Sequence, residues 1–132
     1  MKFCTAINCM DGRAQLPVID YLRKRFNAEY VDVITEPGPN LIMAEATNQV
    51  ALDRIFLRLN ISIDNHNSVG VAVVGHHDCA GNPSPRDAQI DHIRKAIALL
   101  RERCKGIEII GLWVDADWMV HEVDLDPSRS SF

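Results

Sequence analysis

The chain has 132 residues, enough for one hydrophobic core and too few for two, so it reads as a single domain over 1–132. Apolar residues make up 47% and charged residues 24%, a balance that excludes a disordered chain. The net charge of −4, from 14 basic and 18 acidic residues, argues against a nucleic-acid partner, and no apolar run approaches the roughly 20 residues of a membrane span.

Lys2–Asn8 (KFCTAIN) is short, mostly apolar and closed by polar residues, the pattern of a buried first strand. Gln15–Phe26 carries Leu16, Ile19, Leu22 and Phe26 at helical spacing, with Pro17 in its first turn and Arg23, Lys24 and Arg25 in its last. Tyr30–Thr35 is rich in β-branched residues and reads as a second strand; Glu36–Asn40 (EPGPN) is a loop. Leu41–Asn67 is helical in pattern and broken once, with Thr47 or Asn48 capping its second part. Ala51, Ile55, Leu59 and Ser62 share one face there, with Leu57 and Ile61 beside them. Val69–Gly75 is the most apolar run and predicts a central strand buried on both faces. After the loop GNPSP, Ser84 and Asp87 resemble a capping box, with Pro85 at the first helical position. Ile90, Ile93, Ile97, Leu100 and Cys104 then repeat by three and four, and Gly106 stops that helix. Glu108–Val114 is a fourth strand, Asp115 and Asp117 form a solvated turn, Trp118–Val123 suits an edge strand, and Asp124–Phe132 is expected to fray. Strands alternating with helices predict an α/β three-layer sandwich. Its mostly parallel sheet should hold about four strands in the order 2-1-3-4, with room for an extra edge strand.

The first residues do not read as a signal peptide, because Asn8, Asp11 and Arg13 interrupt any apolar stretch. Cys4, Cys9, Cys79 and Cys104 are therefore expected to be thiols or metal ligands of a cytoplasmic protein rather than disulfides. Two segments carry chemistry. Cys9-Met10-Asp11-Gly12-Arg13 follows the first strand, and His76-His77-Asp78-Cys79-Ala80-Gly81 follows the third. Both lie at the carboxyl ends of parallel strands, where open α/β sheets bind ligands. Two thiolates and an imidazole from Cys9, His76 and Cys79 suit zinc, and three protein ligands leave a fourth position open. Asp11 beside Arg13 is held ionised as an oriented hydrogen-bond acceptor. Ordinary buried thiols or a Cys9–Cys79 redox pair are weaker readings, since the pair leaves Asp11 and His76 without a purpose. Arg13 stands too close to Cys9 for a phosphatase loop.

Cys9-x-Asp11-x-Arg13 followed by His76-x-x-Cys79 resembles the signature of the β-class carbonic anhydrases. The run ending VAVVGHHDCAG is similar to that family's approach to its His-x-x-Cys, and the likeness covers roughly residues 2–115. The chain looks like a compact, divergent member. The loop after the second strand reads Glu36-Pro37-Gly38-Pro39-Asn40 where the family carries an Ala-Gly-Asn-like sequence. The resemblance implies zinc on Cys9, His76 and Cys79, with His76 preferred over His77 by spacing. It also implies Asp11 and Arg13 as the catalytic pair and reversible hydration of carbon dioxide as the reaction. Backbone N–H groups near Gly81 are expected to support the developing carboxylate. Asp78 is expected to orient its loop, and a homodimer is expected through Trp113, Trp118 and Val120. The alternatives are hydrolysis of carbon disulfide or carbonyl sulfide, and a noncatalytic zinc- or anion-binding domain with Asp11 on the metal.

Overall fold

The computed structural model describes residues 1–126. Five strands, β1 (Phe3–Cys9), β2 (Tyr30–Glu36), β3 (Gly70–His76), β4 (Glu108–Val114) and β5 (Val120–Glu122), form one sheet in the order β2-β1-β3-β4-β5. The first four are parallel, as the sequence predicts, and the short β5 adds an antiparallel edge against β4. Four helices connect them: α1 (Gln15–Arg25), α2 (Pro39–Glu45), α3 (Gln49–His66) and α4 (Arg86–Arg103). Among the described residues no helix is long and apolar enough to cross a membrane.

Alternate residues of each central strand feed two cores. Cys4, Ala6, Ala72, Val74, Ile110 and Leu112 meet Val18 and Leu22 of α1 on one face. Ile7, Val71, Val73 and Ile109 meet Met43, Leu59, Ile93 and Ile97 from α2, α3 and α4 on the other. Burial on both faces explains why β3 reads as a continuous apolar run. The chain leaves β1 toward β2 and leaves β3 toward β4, so the strand order reverses between β1 and β3. The carboxyl ends of those two strands therefore flank a crevice, the place where doubly wound sheets bind ligands.

Several local expectations change. The break between α2 and α3 falls at Ala46, which adopts φ +53, and Asn48 rather than Thr47 caps α3 by accepting the Ala51 N–H. The buried face of α3 is Leu52, Ile55, Phe56, Leu59 and Ser62, while Leu57 and Ile61 point to solvent. That helix is apolar on opposite sides, so periodicity alone does not select the inner one. Leu16 is likewise exposed, and Val18 takes its place under the sheet. Pro85 is itself the N-cap of α4, without a side-chain bond from Ser84, and Cys104 is the half-buried C-cap. Trp113 is buried in the core and offers no docking surface. Asp124 does not fray: its carbonyl accepts from Arg94 Nε at 3.1 Å and Nη2 at 2.9 Å. Residues 127–132 of the expected frayed tail lie outside the described residues.

Candidate metal centre

Cys9 ends β1 and His76 ends β3, so the sheet delivers both side chains to the crevice, and the following turn returns Cys79 to them. Their ligand atoms lie within 4.8 Å of one another and all three residues are buried. The two sulfurs are 3.8 Å apart. A tetrahedral zinc with sulfurs about 2.3 Å out spaces two of them about 3.8 Å apart. The cysteines of the described chain are free thiols.

His76 Nδ1 lies 2.7 Å from the carbonyl oxygen of His77. A carbonyl only accepts, so the proton sits on Nδ1 and Nε2 presents a bare lone pair. That Nε2 is buried and has no hydrogen-bond partner. Burying an unpaired polar atom costs about 1–3 kcal/mol unless something binds it. A metal ion held by Nε2 and the two sulfurs would remove that cost, and donor type, spacing and tautomer all fit zinc. His77 is exposed and contributes its carbonyl to this arrangement.

The two sulfurs differ in their electrostatic setting. The hydrogen bond from Cys79 pushes the Cys9 thiol well below its ordinary range, against the effect of burial, and the N–H groups of Gly38 and Asp11 act in the same direction. Cys79, the donor of that pair, is pushed up, first by Cys9 and then by burial. The N–H groups of Asn82 and Gly81 face the Cys79 sulfur.

Two loops cross to bring these donors in. Gly38 has φ +61, and a methyl group there would lie 2.6 Å from the Gly81 carbonyl carbon. A methyl group on Gly81 would lie 2.4 Å from the carbonyl carbon of Pro37. Beneath the crossing, Gln89 Nε2 donates to the carbonyls of His76, Asn82 and Ser84 at 2.9, 3.2 and 3.1 Å. Asn40 Nδ2 reaches Gln89 Oε1 at 3.3 Å, and Asn82 Nδ2 reaches Asn40 Oδ1 at 3.2 Å. These buried amides brace both metal-side loops. Gln89 could have been found in the sequence, since it is a polar residue adjoining Ile90 and Ile93 on the apolar face of α4.

Asp11 caps a single 3-10 turn, Gly12–Ala14, through the Arg13 N–H. Arg13 folds back and grips the carboxylate with two bonds, Nε to Oδ1 at 3.0 Å and Nη2 to Oδ2 at 2.7 Å. This grip brings the Asp11 carboxyl down to about 2. Arg13 also reaches the Asp78 carbonyl at 3.2 Å and its carboxylate at 3.3 Å, so Asp78 ties the two site loops together. Gln15, which sequence spacing does not single out, pins the first loop by donating to the carbonyls of Cys9 at 2.7 Å and Asp11 at 2.9 Å.

Residues 1–124 match the protein family described as "Putative carbonic anhydrase". Among solved structures, the carbonic anhydrase of Streptococcus mutans superposes with a TM-score of 0.63 at 20% identity, covering 92% of this chain and 81% of that one. The carbonic anhydrase of Glaciozyma antarctica gives 0.56 at 14% identity over 92% of this chain and 81% of its own. The β-carbonic anhydrase CafA of Aspergillus fumigatus gives 0.50 at 14% identity, covering 97% and 78%. These likenesses establish a shared fold. No curated protein matches the sequence.

Proposed function

Because the chain belongs to the carbonic anhydrase family, as a divergent member with the β-class fold, we propose that it catalyses the reversible hydration of carbon dioxide to bicarbonate and a proton. Cys9, His76 and Cys79 would hold zinc, whose Lewis acidity makes water a nucleophile at neutral pH. The observation that carries this reading is an orphaned His76 Nε2 facing two close sulfurs, beside a carboxylate locked by Arg13.

The chain's own residues supply orientation. Asp11, ionised at any working pH, accepts a hydrogen bond from the attacking water and so directs the oxygen's remaining lone pair toward the substrate carbon. Arg13 supports this role by occupying both carboxylate oxygens from one side, which keeps Asp11 from swinging to the metal. That support favours an open fourth position over a closed, noncatalytic zinc domain. The amide brace under Gly81 holds the thiolate donors in place while the charge at the site changes.

A homodimer is supported by the outer face of α3, where Val50, Leu57 and Ile61 are exposed along one stripe beside the edge strand β2. The free thiols suit a reducing compartment such as the cytoplasm.

The test is stopped-flow hydration of carbon dioxide by zinc-loaded protein. Turnover above the uncatalysed rate, lost on chelation and restored by zinc, supports the reading. Stoichiometric zinc without turnover on carbon dioxide, carbonyl sulfide or carbon disulfide overturns the enzyme and leaves a zinc-binding domain. Turnover on the sulfur compounds alone moves the substrate and keeps the site.

A further inference from the structure

The turn between β4 and β5 folds back over the candidate metal centre, and it is built to hold one ring there. Asp115 Oδ1 accepts the N–H groups of Asp117 at 2.9 Å and Met119 at 3.0 Å. The backbone closes the same turn, with Trp118 N–H donating to the Asp115 carbonyl and Asp115 N–H donating to the Met119 carbonyl, both at 3.0 Å. His121 Nε2 lies 2.7 Å from the other Asp115 oxygen. Within the turn, Trp118 sits at φ +60. That left-handed conformation is costly for a bulky side chain, and residues kept in it concentrate where a site needs them. In that conformation the indole lies against Arg13, whose guanidinium carbon is 4.5 Å from the ring centroid. The same ring lies 6.0 Å from the His76 imidazole.

We propose that Trp118 is a positioning residue for the Asp11–Arg13 pair: its indole face fixes the plane of the Arg13 guanidinium, and through it the direction of the Asp11 carboxylate. The hydrogen bonds of Arg13 to Asp11 lie in the plane of the guanidinium fork. Bonds of that kind hold the two groups to each other but allow the joined pair to tilt as a unit. Arg13 is 48% exposed, and its partner Asp78 is 71% exposed, so solvent competes for the remaining contact. A flat aromatic face supplies the missing restraint, because a cation is attracted to its centre and a planar cation stacks on it. The short strand β5 thereby gains a purpose beyond lengthening the sheet: it anchors the turn that carries the ring.

The role rests on the carbonic anhydrase reading, but its test has an arm that does not. Trp118→Asn removes the ring while keeping a residue that tolerates left-handed backbone, and Trp118→Phe keeps a ring. Zinc content and circular dichroism establish that both variants are folded and loaded. In proton–nitrogen NMR spectra of the zinc-loaded protein, the Arg13 Nε–H signal is assigned by its loss in Arg13→Lys. It should stand upfield from ring current, then move downfield and broaden in Trp118→Asn but not in Trp118→Phe. In hydration assays Trp118→Asn should lower kcat about tenfold with KM little changed, the order that a partly desolvated cation–π contact supports, and Trp118→Phe should recover most of it. An unmoved Arg13 signal in Trp118→Asn overturns the proposal, as does a moved signal with full kcat. If the unmutated protein holds zinc and hydrates nothing, the functional reading fails by itself, and the NMR arm still decides whether Trp118 fixes Arg13.

Discussion

At the residue scale, metal retention and catalysis should separate. Cys79→Ser should lose stoichiometric zinc by metal analysis, because a hydroxyl is a hard and poorly acidic substitute for a thiolate. Asp11→Asn should retain zinc and lose about 10–100-fold in hydration, the range found when an oriented partner outside the ligand set is removed. An amide presents a donor where an acceptor is required. Arg13→Ala should free Asp11 to reach the metal, so a carboxylate oxygen about 2.0–2.2 Å from zinc in a crystal structure is the expected sign. Cys4 makes a different test. It is fully buried beneath α1, and burial, aided by Asp32, pushes its thiol from 9.0 up to about 11. Between those values the unfolded chain gives up the thiol proton and the folded one keeps it, so stability falls as pH rises. Urea unfolding at pH 8.5 and 10.5 should show a decline steeper in the wild type than in Cys4→Ala, by roughly 1–2 kcal/mol.

At the scale of elements, the candidate metal centre depends on two loops that touch only because both lack side chains at the crossing. Gly81→Ala drives a methyl group into the Pro37 carbonyl. The loops must part, which should cost about 1–3 kcal/mol of stability and weaken zinc binding, measured by thermal melting and by competition with a chelator. Loss of metal affinity without loss of stability would mean that the crossing serves the sulfurs alone. Asn40, Asn82 and Gln89 lie just below and are fully buried, so strain at the crossing passes to a polar network that tolerates little misalignment. The contacts that join the two loops are not local in sequence: Asn40 is 49 positions from Gln89 and 42 from Asn82.

For the whole molecule, the outward apolar stripe on α3 is the surface on which the proposed homodimer rests. A homodimer should appear by light scattering at micromolar concentration, and Leu57→Lys should convert it to a monomer without changing the circular dichroism. A monomeric wild type counts against the assembly and leaves the metal centre intact. The docking surface expected from Trp113 fails for a tertiary reason, since that residue points from β4 into the larger core.

The sequence by itself determined the order of elements, the parallel order 2-1-3-4, and the five residues Cys9, Asp11, Arg13, His76 and Cys79 that the structure brings to one crevice. The elements and the placement of the ligands at strand ends are written in short-range patterns. Apolar runs mark the strands, amphipathic repeats mark the helices, and a ligand placed just after a parallel strand has one edge of the sheet to occupy. Only the tertiary structure decided which face of α3 is inside, how Gly38 meets Gly81, that Gln89 braces His76, and that Trp118 lies on Arg13. Each of these joins residues from separate elements. Periodicity fixes a side chain's direction relative to its own helix or strand, whereas its partner across a loop crossing depends on how the packed layers finally sit.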